Sequence, residues 1–197
     1  MENTHELSRL EKFPVRTYFS FPDIPPTPEL CFEKLNEQNF EQLFFLFEND
    51  DSRFVYEHFK THLGAKEYTE YLVQYGTTTP KHGGQDWFVK LTSGTYVGIL
   101  HLYDLSLETF GQNHKRAWIG FATKKTFRNK GITTKAVQHF INYIFNYYPS
   151  IDFIHAMVEE ENTASENLLL KCGFVVDTTR RISKKHRFFI LMRPLPQ

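Results

Sequence analysis

Apolar residues recur along the chain at two spacings, and the spacing changes several times. Over residues 39–47 and again over 132–148 they return every three or four positions, the period of an amphipathic helix. The second stripe comprises Ile132, Ala136, Val137, Phe140, Ile141, Ile144, Phe145 and Tyr148. We predict two further helices at residues 65–75 and 163–171, the latter with Gly173 just past its end.

A second set of segments is rich in β-branched and aromatic residues, which is typical of strands. These segments are residues 30–35, 87–91, 95–103, 116–121, 151–158 and 187–192. Ser93-Gly94 is a hairpin signal between two of them, and residues 77–84 (TTTPKHGG) indicate a loop. Because some strands are joined by hairpins and others by helices, the pattern predicts an α+β protein with a mixed sheet.

The ends and the composition indicate one domain with a short lead-in. The proline-rich run FPDIPPTP closes residues 1–28, which we predict to be extended, and residues 29–197 form the domain. No segment is long and apolar enough for a leader or a membrane span, so we expect no membrane partner. Cys31 and Cys172 have neither zinc nor disulfide spacing. We expect a cytoplasmic protein that is a monomer or a homodimer.

Charge is balanced overall but concentrated at one point. Lys+Arg and Asp+Glu both number 23, so the global attraction typical of a nucleic-acid binder is missing. Four cations nevertheless lie within residues 124–130 (KKTFRNK), directly before Gly131 and a predicted helix. The first N–H groups of a helix lack partners and favour anions, which indicates a phosphate site. The alternative is a solvated cationic loop, since GxGxxG and GxxxxGK[ST] are both absent.

Three motifs, in order, resemble the GNAT acyltransferase superfamily. RNKGIT at residues 128–133 resembles its [QR]-x-x-G-x-[GA] loop, with Thr133 in place of a small residue. IGF at residues 119–121 is similar to the IGY strand of the RimJ/RimL branch, and residues 162–174 resemble its N-x-x-S…K-x-G-F segment. The resemblance covers roughly residues 30–194. It implies the GNAT fold, a mixed central sheet with splayed strands flanked by helices.

The same resemblance implies acetyl-CoA as the donor and a primary amine as the acceptor. The cleft between splayed strands at residues 117–123 and 151–158 would take the pantetheine arm, with the pyrophosphate on the loop amides. The implied cofactor-binding residues are Phe121, Ala122, Thr123, Arg128, Asn129, Lys130, Gly131, Ile132, Thr133, Asn162 and Ser165. Asn162 could instead only cap the following helix, and Ser165 could be a surface hydroxyl.

The implied chemistry is direct attack of a neutral amine on a thioester, which calls for a base and for a proton on the leaving thiolate. Two positions that often carry these groups in the family are Trp118 and Leu169 here. Ser165 is therefore our candidate acid. Glu159 and Glu108 are weaker candidate bases, and a water chain is the alternative.

The acceptor leaves several alternatives open. The RimJ/RimL resemblance implies a protein N-terminal amine, while a polyamine, an aminoglycoside or an amino acid would also supply a primary amine. A non-catalytic acyl-CoA-binding module is a further alternative. We expect the acceptor pocket from the two N-terminal helices and the loops at residues 77–86 and 105–115. His58 and His62 have helical spacing but no third ligand, so we expect no metal site.

Overall fold

The computed structural model describes residues 21–76, 83–106, 115–179 and 185–194. Within these ranges the chain forms seven strands and four α-helices. The strands are β1 (Leu30–Lys34), β2 (Gly83–Leu91), β3 (Tyr96–Ser106), β4 (Arg116–Thr123), β5 (Phe153–Glu159), β6 (Val175–Val176) and β7 (His186–Met192). The helices are α1 (Glu41–Phe47), α2 (His62–Gly76), α3 (Ile132–Tyr147) and α4 (Thr163–Lys171), with short 3₁₀ helices at Glu57–Lys60 and Lys125–Phe127.

The strands form one mixed sheet in the order β1-β2-β3-β4-β5-β7-β6. The β4–β5 pair is parallel, and the other neighbouring strands are antiparallel. The turn between β2 and β3 lies at Ser93-Gly94, where Gly94 has a φ of 89°, as the hairpin signal predicts. The predicted α+β class with a mixed sheet is confirmed.

The two parallel strands diverge partway along their length. β4 and β5 pair from Arg116 opposite Phe153 to Ile119 opposite Ala156. Beyond that point β4 continues to pair with β3 as far as Thr123, while β5 follows β7 as far as Glu159. A fork therefore opens between residues 120–123 and 157–159, which confirms the splayed strands.

Helices cover both faces of the sheet. α3 and α4 pack on the face that carries Trp87 and Ile119. α1, α2 and the 3₁₀ helix Glu57–Lys60 pack on the opposite face, against Phe88 and Ile99. Because successive side chains of a strand point to opposite faces, the β4 residues next to Ile119 face the α1/α2 side.

The apolar stripe of α3 is buried as its spacing predicts, except that Ile132 is only partly buried. α4 has the predicted bounds, and Gly173 beyond it has a φ of 89°. The predicted loop at 77–84 is wrong at its end, because Gly83 already pairs with Leu105 in the sheet. Residues 77–82 lie outside the described part of the chain.

The described end of the lead-in, residues 21–28, packs against the domain. Phe21 and Ile24 are buried, and the Tyr143 hydroxyl of α3 donates to the Pro22 carbonyl at 2.8 Å. These contacts hold the segment on the α3 face of the sheet. In the part of the chain that the structure describes, no helix combines the length and apolar character needed to cross a membrane.

Candidate active site

A cleft of about 570 Å³ opens at the fork. Its walls come from the free half of β4, the first residues of α3 and α4, and the segment that follows α1. Of the residues expected to hold acyl-CoA, the cleft is lined by Phe121, Ala122, Thr123, Arg128, Asn129, Gly131, Thr133, Asn162 and Ser165. Lys130 and Ile132 do not line it. The Lys130 ammonium lies 5.2 Å from the centre of the Phe127 ring, and Ile132 packs against the core.

The free edge of β4 forms one wall of this cleft. Residues 120–123 pair with β3 on one side, and no strand of the described residues pairs with them on the other. An unpaired strand edge offers backbone N–H and C=O groups to an extended ligand. The amides of a pantetheine arm have the chemistry that this edge accepts.

The start of α3 is open to an anion. Gly131 is the N-cap residue with a φ of 73°, it provides no capping side chain, and Asn129 before it also has a positive φ, 61°. The Lys135 N–H bonds back to the Gly131 carbonyl at 3.1 Å, so the N–H groups of the helix before it have no intrahelical partner. A Cβ built on Gly131 meets nothing within 4 Å. These amides therefore face open space and fit a phosphate group.

Three side-chain contacts fix this loop to its surroundings. The Arg128 guanidinium donates to the carboxylate of Asp50, and its Nε donates to the Thr123 carbonyl at 3.1 Å. The hydroxyls of Thr133 and Thr123 lie 2.5 Å apart and join the start of α3 to the end of β4. Arg128 therefore binds the segment after α1 and also places a positive charge beside the cleft.

The start of α4 supplies the opposite wall. Asn162 Oδ1 accepts from the Ser165 backbone N–H at 3.2 Å, so Asn162 caps α4, which is the alternative role given above. Ser165 is half-buried and lines the cleft, and Leu169, one turn later, is buried. Glu159 is exposed at the end of β5. Glu108, the other candidate base, lies outside the described residues.

A second recess, of about 410 Å³, borders the fork and is mainly aromatic. It is lined by Tyr103, Asp104, Arg116, Trp118, Met157, His186 and Phe188. The Trp118 ring is stacked on Tyr103 and meets Phe188 edge-on, each at 6.1 Å between ring centres. The last pair that joins β4 to β5 is Ile119 with Ala156. Trp118 lies one residue before this pair, and Met157 lies one residue after it. Four strands build this surface, and no linear motif predicted it.

A buried polar cluster lies beside the recess. His101 Nδ1 and Asp86 Oδ2 are 2.8 Å apart, and the Tyr68 hydroxyl donates to the same carboxylate oxygen at 2.7 Å. His101 is opposite Gly120 in the β3–β4 ladder, at the first residue of the fork. Sequence reasoning missed Asp86 and His101. The only sequence feature that marks these two residues is that each is a polar residue at a buried position of its strand.

Further titratable groups interact electrostatically with this cluster. Burial raises the pKa of Tyr56, and the charges of Asp86 and Glu159 raise it further. Burial likewise raises the pKa of Tyr68, and lowers the pKa of His58 with a contribution from His101. The α1/α2 side of the sheet therefore carries several titratable groups whose charges influence one another.

The two histidines with helical spacing lie on separate elements. His58 is in the 3₁₀ helix Glu57–Lys60 and stacks on the rings of Tyr56 and Tyr68, each at 5.3 Å. His62 begins α2 and lies 3.4 Å from Glu41. Among the residues described, no group of three or more His, Cys, Asp or Glu could hold a metal ion.

Solved structures with a similar fold are numerous, and their sequences are distant. A chimera of the spermidine N-acetyltransferase SpeG from Vibrio cholerae and hSSAT superposes with a TM-score of 0.63 at 14% identity, covering 83% of this chain and 95% of that one. A GNAT-family acetyltransferase from Bacillus anthracis gives 0.62 at 17%, covering 86% and 97%. A dodecameric spermidine N-acetyltransferase from Vibrio cholerae gives 0.60 at 14%, covering 84% and 95%. At these identities the likeness establishes the fold.

The sequence itself carries the family assignment. A comparison with curated proteins found no significant match. The family model for the acetyltransferase (GNAT) domain matches residues 29–175, most of the chain. That match agrees with the mixed sheet, the fork and the open start of α3. The chain belongs to the GNAT acetyltransferase family and is an acyl-CoA-dependent N-acetyltransferase.

Proposed function

We propose that this enzyme transfers the acetyl group of acetyl-CoA to a primary amine that is carried on an aromatic or apolar body. The observation that carries the proposal is the aromatic recess beside the fork. Tyr103, Trp118 and Phe188 present ring faces and edges there, and Met157 adds an exposed thioether. Such surfaces hold flat apolar groups by burial and ring stacking.

The donor side of the proposal rests on the cleft. The open N–H groups after Gly131 would hold the pyrophosphate, and the free edge of β4 would pair with the pantetheine arm. Acetyl-CoA is the acetyl donor that a GNAT domain implies. Ser165, on the far wall, is our candidate donor of a proton to the departing thiolate.

A polyamine is the acceptor of the spermidine enzymes named above, and the recess here suits it less well. Among the described residues that line it, Asp104 is the one carboxylate, and it is ion-paired with Arg116 at 3.3 Å. A polycation leaves water only where several carboxylates compensate its charges. His186 and Arg116 add basic groups to the lining instead.

Two sources supply an amine on an apolar body. One is a free arylalkylamine, and the other is a protein N-terminus that begins with a large apolar residue. The second agrees with the RimJ/RimL resemblance of residues 119–121 and 162–174. Both present the same chemistry to the recess, and their relative kcat/KM values distinguish them.

The test is a panel of acceptors with acetyl-CoA as donor. We expect phenethylamine or a peptide beginning with Phe to have a higher kcat/KM than spermidine or a peptide beginning with Ser. Trp118→Ala should raise KM for the aromatic acceptors by roughly tenfold, because a ring contact contributes about 1–1.5 kcal/mol. Tyr147→Ala, an exposed aromatic on α3, is the matched control.

Three outcomes contradict the proposal. Spermidine as the best acceptor would favour the polyamine alternative. Turnover that Trp118→Ala leaves unchanged for every acceptor would remove the recess from substrate binding. Binding of acetyl-CoA without transfer to any amine would favour the non-catalytic alternative.

A further inference from the structure

The Asp86–His101 pair is more deeply buried than a surface ion pair, and His101 lies opposite Gly120, the first residue of the fork. Asp86 is 1% exposed and His101 is 8% exposed. The Phe59 ring stacks over the imidazole at 5.9 Å from the 3₁₀ helix Glu57–Lys60. Burying two polar side chains costs free energy unless hydrogen bonds compensate, and here they bond to each other.

The bonding pattern sets the tautomer of the imidazole. Asp86 Oδ2 receives the Tyr68 hydroxyl at 2.7 Å and meets His101 Nδ1 at 2.8 Å. A carboxylate only accepts hydrogen bonds, so Nδ1 carries a proton and donates a hydrogen bond to Asp86. In the neutral form of the ring, Nε2 is then the acceptor nitrogen. Within the described residues, the Asp86 bond is the one hydrogen bond that the His101 ring makes.

The ring extends from β3 toward both neighbouring strands. Nδ1 faces Asp86 on β2, whereas Cδ2 lies on the β4 side, 3.3 Å from where a Cβ of Gly120 would be. Nε2 is bonded to Cδ2. Glycine at position 120 therefore gives the imidazole room over β4 at the first residue of the fork.

The recess and this ring are neighbours on the same face. In the β3–β4 ladder, Tyr103 pairs with Trp118 and His101 pairs with Gly120. Two residues along a strand span about 7 Å, and i and i+2 share a face. When the apolar body of an acceptor lies on Trp118, its amine is therefore about 7 Å, or two residues along a strand, from His101.

We propose that His101 is a catalytic base, held and oriented by Asp86, that takes the proton from the acceptor ammonium. This inference rests on the proposed function. One proton passes from the ammonium to Nε2, and the freed lone pair attacks the thioester carbonyl carbon. The C–S electron pair leaves with sulfur, the new amide nitrogen loses its second proton, and the thiolate takes one up. The proton on His101 then returns to solvent.

Other titratable groups face this ring from the packed elements, and any pH profile includes them. They are Tyr68 on α2, His58 in the 3₁₀ helix Glu57–Lys60, and Tyr56 before it. The tyrosines stay protonated at neutral pH, because burial and nearby carboxylates raise the pKa of each. Of these neighbours, His58 titrates closest to the neutral range, so His58→Gln is a needed comparison.

The test compares two nucleophiles. Phenethylamine is an ammonium at neutral pH and needs a base, whereas O-benzylhydroxylamine is already neutral and does not. We expect His101→Gln to lower kcat/KM for phenethylamine by ~10²–10⁴-fold at neutral pH. The loss should shrink at alkaline pH, and O-benzylhydroxylamine should be affected less than about tenfold. Asp86→Asn should give a smaller loss with the same selectivity, and His139→Gln on α3 is the matched control.

The outcomes separate the base from a structural role. Equal losses with both nucleophiles, in folded His101→Gln or Asp86→Asn protein, would overturn the base assignment. If the wild-type enzyme acetylates phenethylamine and the variant has the same pH profile, the base assignment is also wrong. The proposed function then remains intact. If wild-type protein binds acetyl-CoA but acetylates no amine, the proposed function fails and this inference fails with it.

Discussion

The buried carboxylate of Asp50 and the guanidinium of Arg128 form an ion pair between segments 78 positions apart. The Asp50 side chain is 1% exposed and the Arg128 side chain 32%. Arg128 belongs to the loop that leads into α3, and Asp50 belongs to the segment after α1. The pair therefore joins the segment after α1 to the loop beside the cleft, and part of the arginine charge is already compensated there.

Removing Arg128 should cost stability as well as cofactor affinity. Arg128→Ala leaves Asp50 buried without its partner, so we expect the free energy of unfolding to fall by about 1–3 kcal/mol. A double-mutant cycle with Asp50→Ala should give a coupling energy of at least ~0.5 kcal/mol in urea unfolding. Additive losses would mean that the pair contributes nothing. Lys130→Ala, whose ammonium lies over the Phe127 ring, should leave stability nearly unchanged and serves as the control.

The phosphate loop can be tested at Gly131 with two substitutions that share the same backbone strain. Both Gly131→Ala and Gly131→Glu place a side chain at a φ of 73°, which costs roughly 1–2 kcal/mol in either case. Only the glutamate adds a negative charge where phosphate would meet the helix N-terminus. We expect calorimetry to show at least about tenfold weaker acetyl-CoA binding for Glu than for Ala. Equal affinities would contradict the loop assignment.

The N-cap of α4 allows structure and binding to be separated. Asn162→Ala removes the bond to the Ser165 N–H and should lower the free energy of unfolding by ~1 kcal/mol. Asn162→Asp retains an oxygen acceptor and should keep most of that stability. Its charge beside the cleft should still weaken acetyl-CoA binding. If Asp binds acetyl-CoA as wild type does, Asn162 is a cap without a role at the cofactor.

Ser165 is the candidate acid on the same helix. Ser165→Ala should lower kcat by roughly tenfold with little change in acetyl-CoA affinity, because a proton donor to the thiolate acts in the transition state. CoA thiolate is a fair leaving group, so the effect lies at the low end of acid catalysis. Loss of affinity with kcat retained would make Ser165 a cofactor contact instead. Ser93→Ala, in the exposed β2–β3 turn, is the control.

Cys172 should be slow to alkylate in the folded protein. Burial raises the pKa of its thiol to about 11, and the thiolate is the reactive form. At about pH 8 the thiolate fraction is then on the order of 0.1%, and it rises with pH until the pKa is passed. Mass spectrometry after iodoacetamide treatment should show modification of Cys172 in urea and little in native protein. Equal rates in the two conditions would show that the thiol is not protected.

Local pattern was enough for the helices and for most strands. The stripe of α3 and the bounds of α4 follow from apolar spacing, and Gly173 ends α4 because it adopts a positive φ. The boundaries of β2 did not follow. Gly83 and Gly84 have a turn-like sequence, and they are extended because β3 supplies hydrogen-bond partners across the ladder. Pairing between distant strands overrode the local preference there.

The residues that we propose for the cofactor could also be predicted, because they lie in short contiguous segments. The geometry of each segment is set by its own residues. Residues 121–123 form a strand edge, residues 128–133 form an open helix start, and residues 162–165 contain a helix cap. What sequence could not give was the partner of Arg128. Asp50 lies in another segment with no motif, and only folding brings the two charges together.

The sequence by itself determined that this protein is an α+β acyltransferase with a cationic glycine loop before a long amphipathic helix, since these features depend on neighbours within a few residues. The tertiary structure decided the side that we propose for the acceptor. The recess at Trp118 draws side chains from four strands, and the His101–Asp86 pair forms because β2 and β3 are in register and Gly120 leaves room on β4. Such sites depend on strand order and on which face each residue takes, and both are fixed only when the sheet assembles.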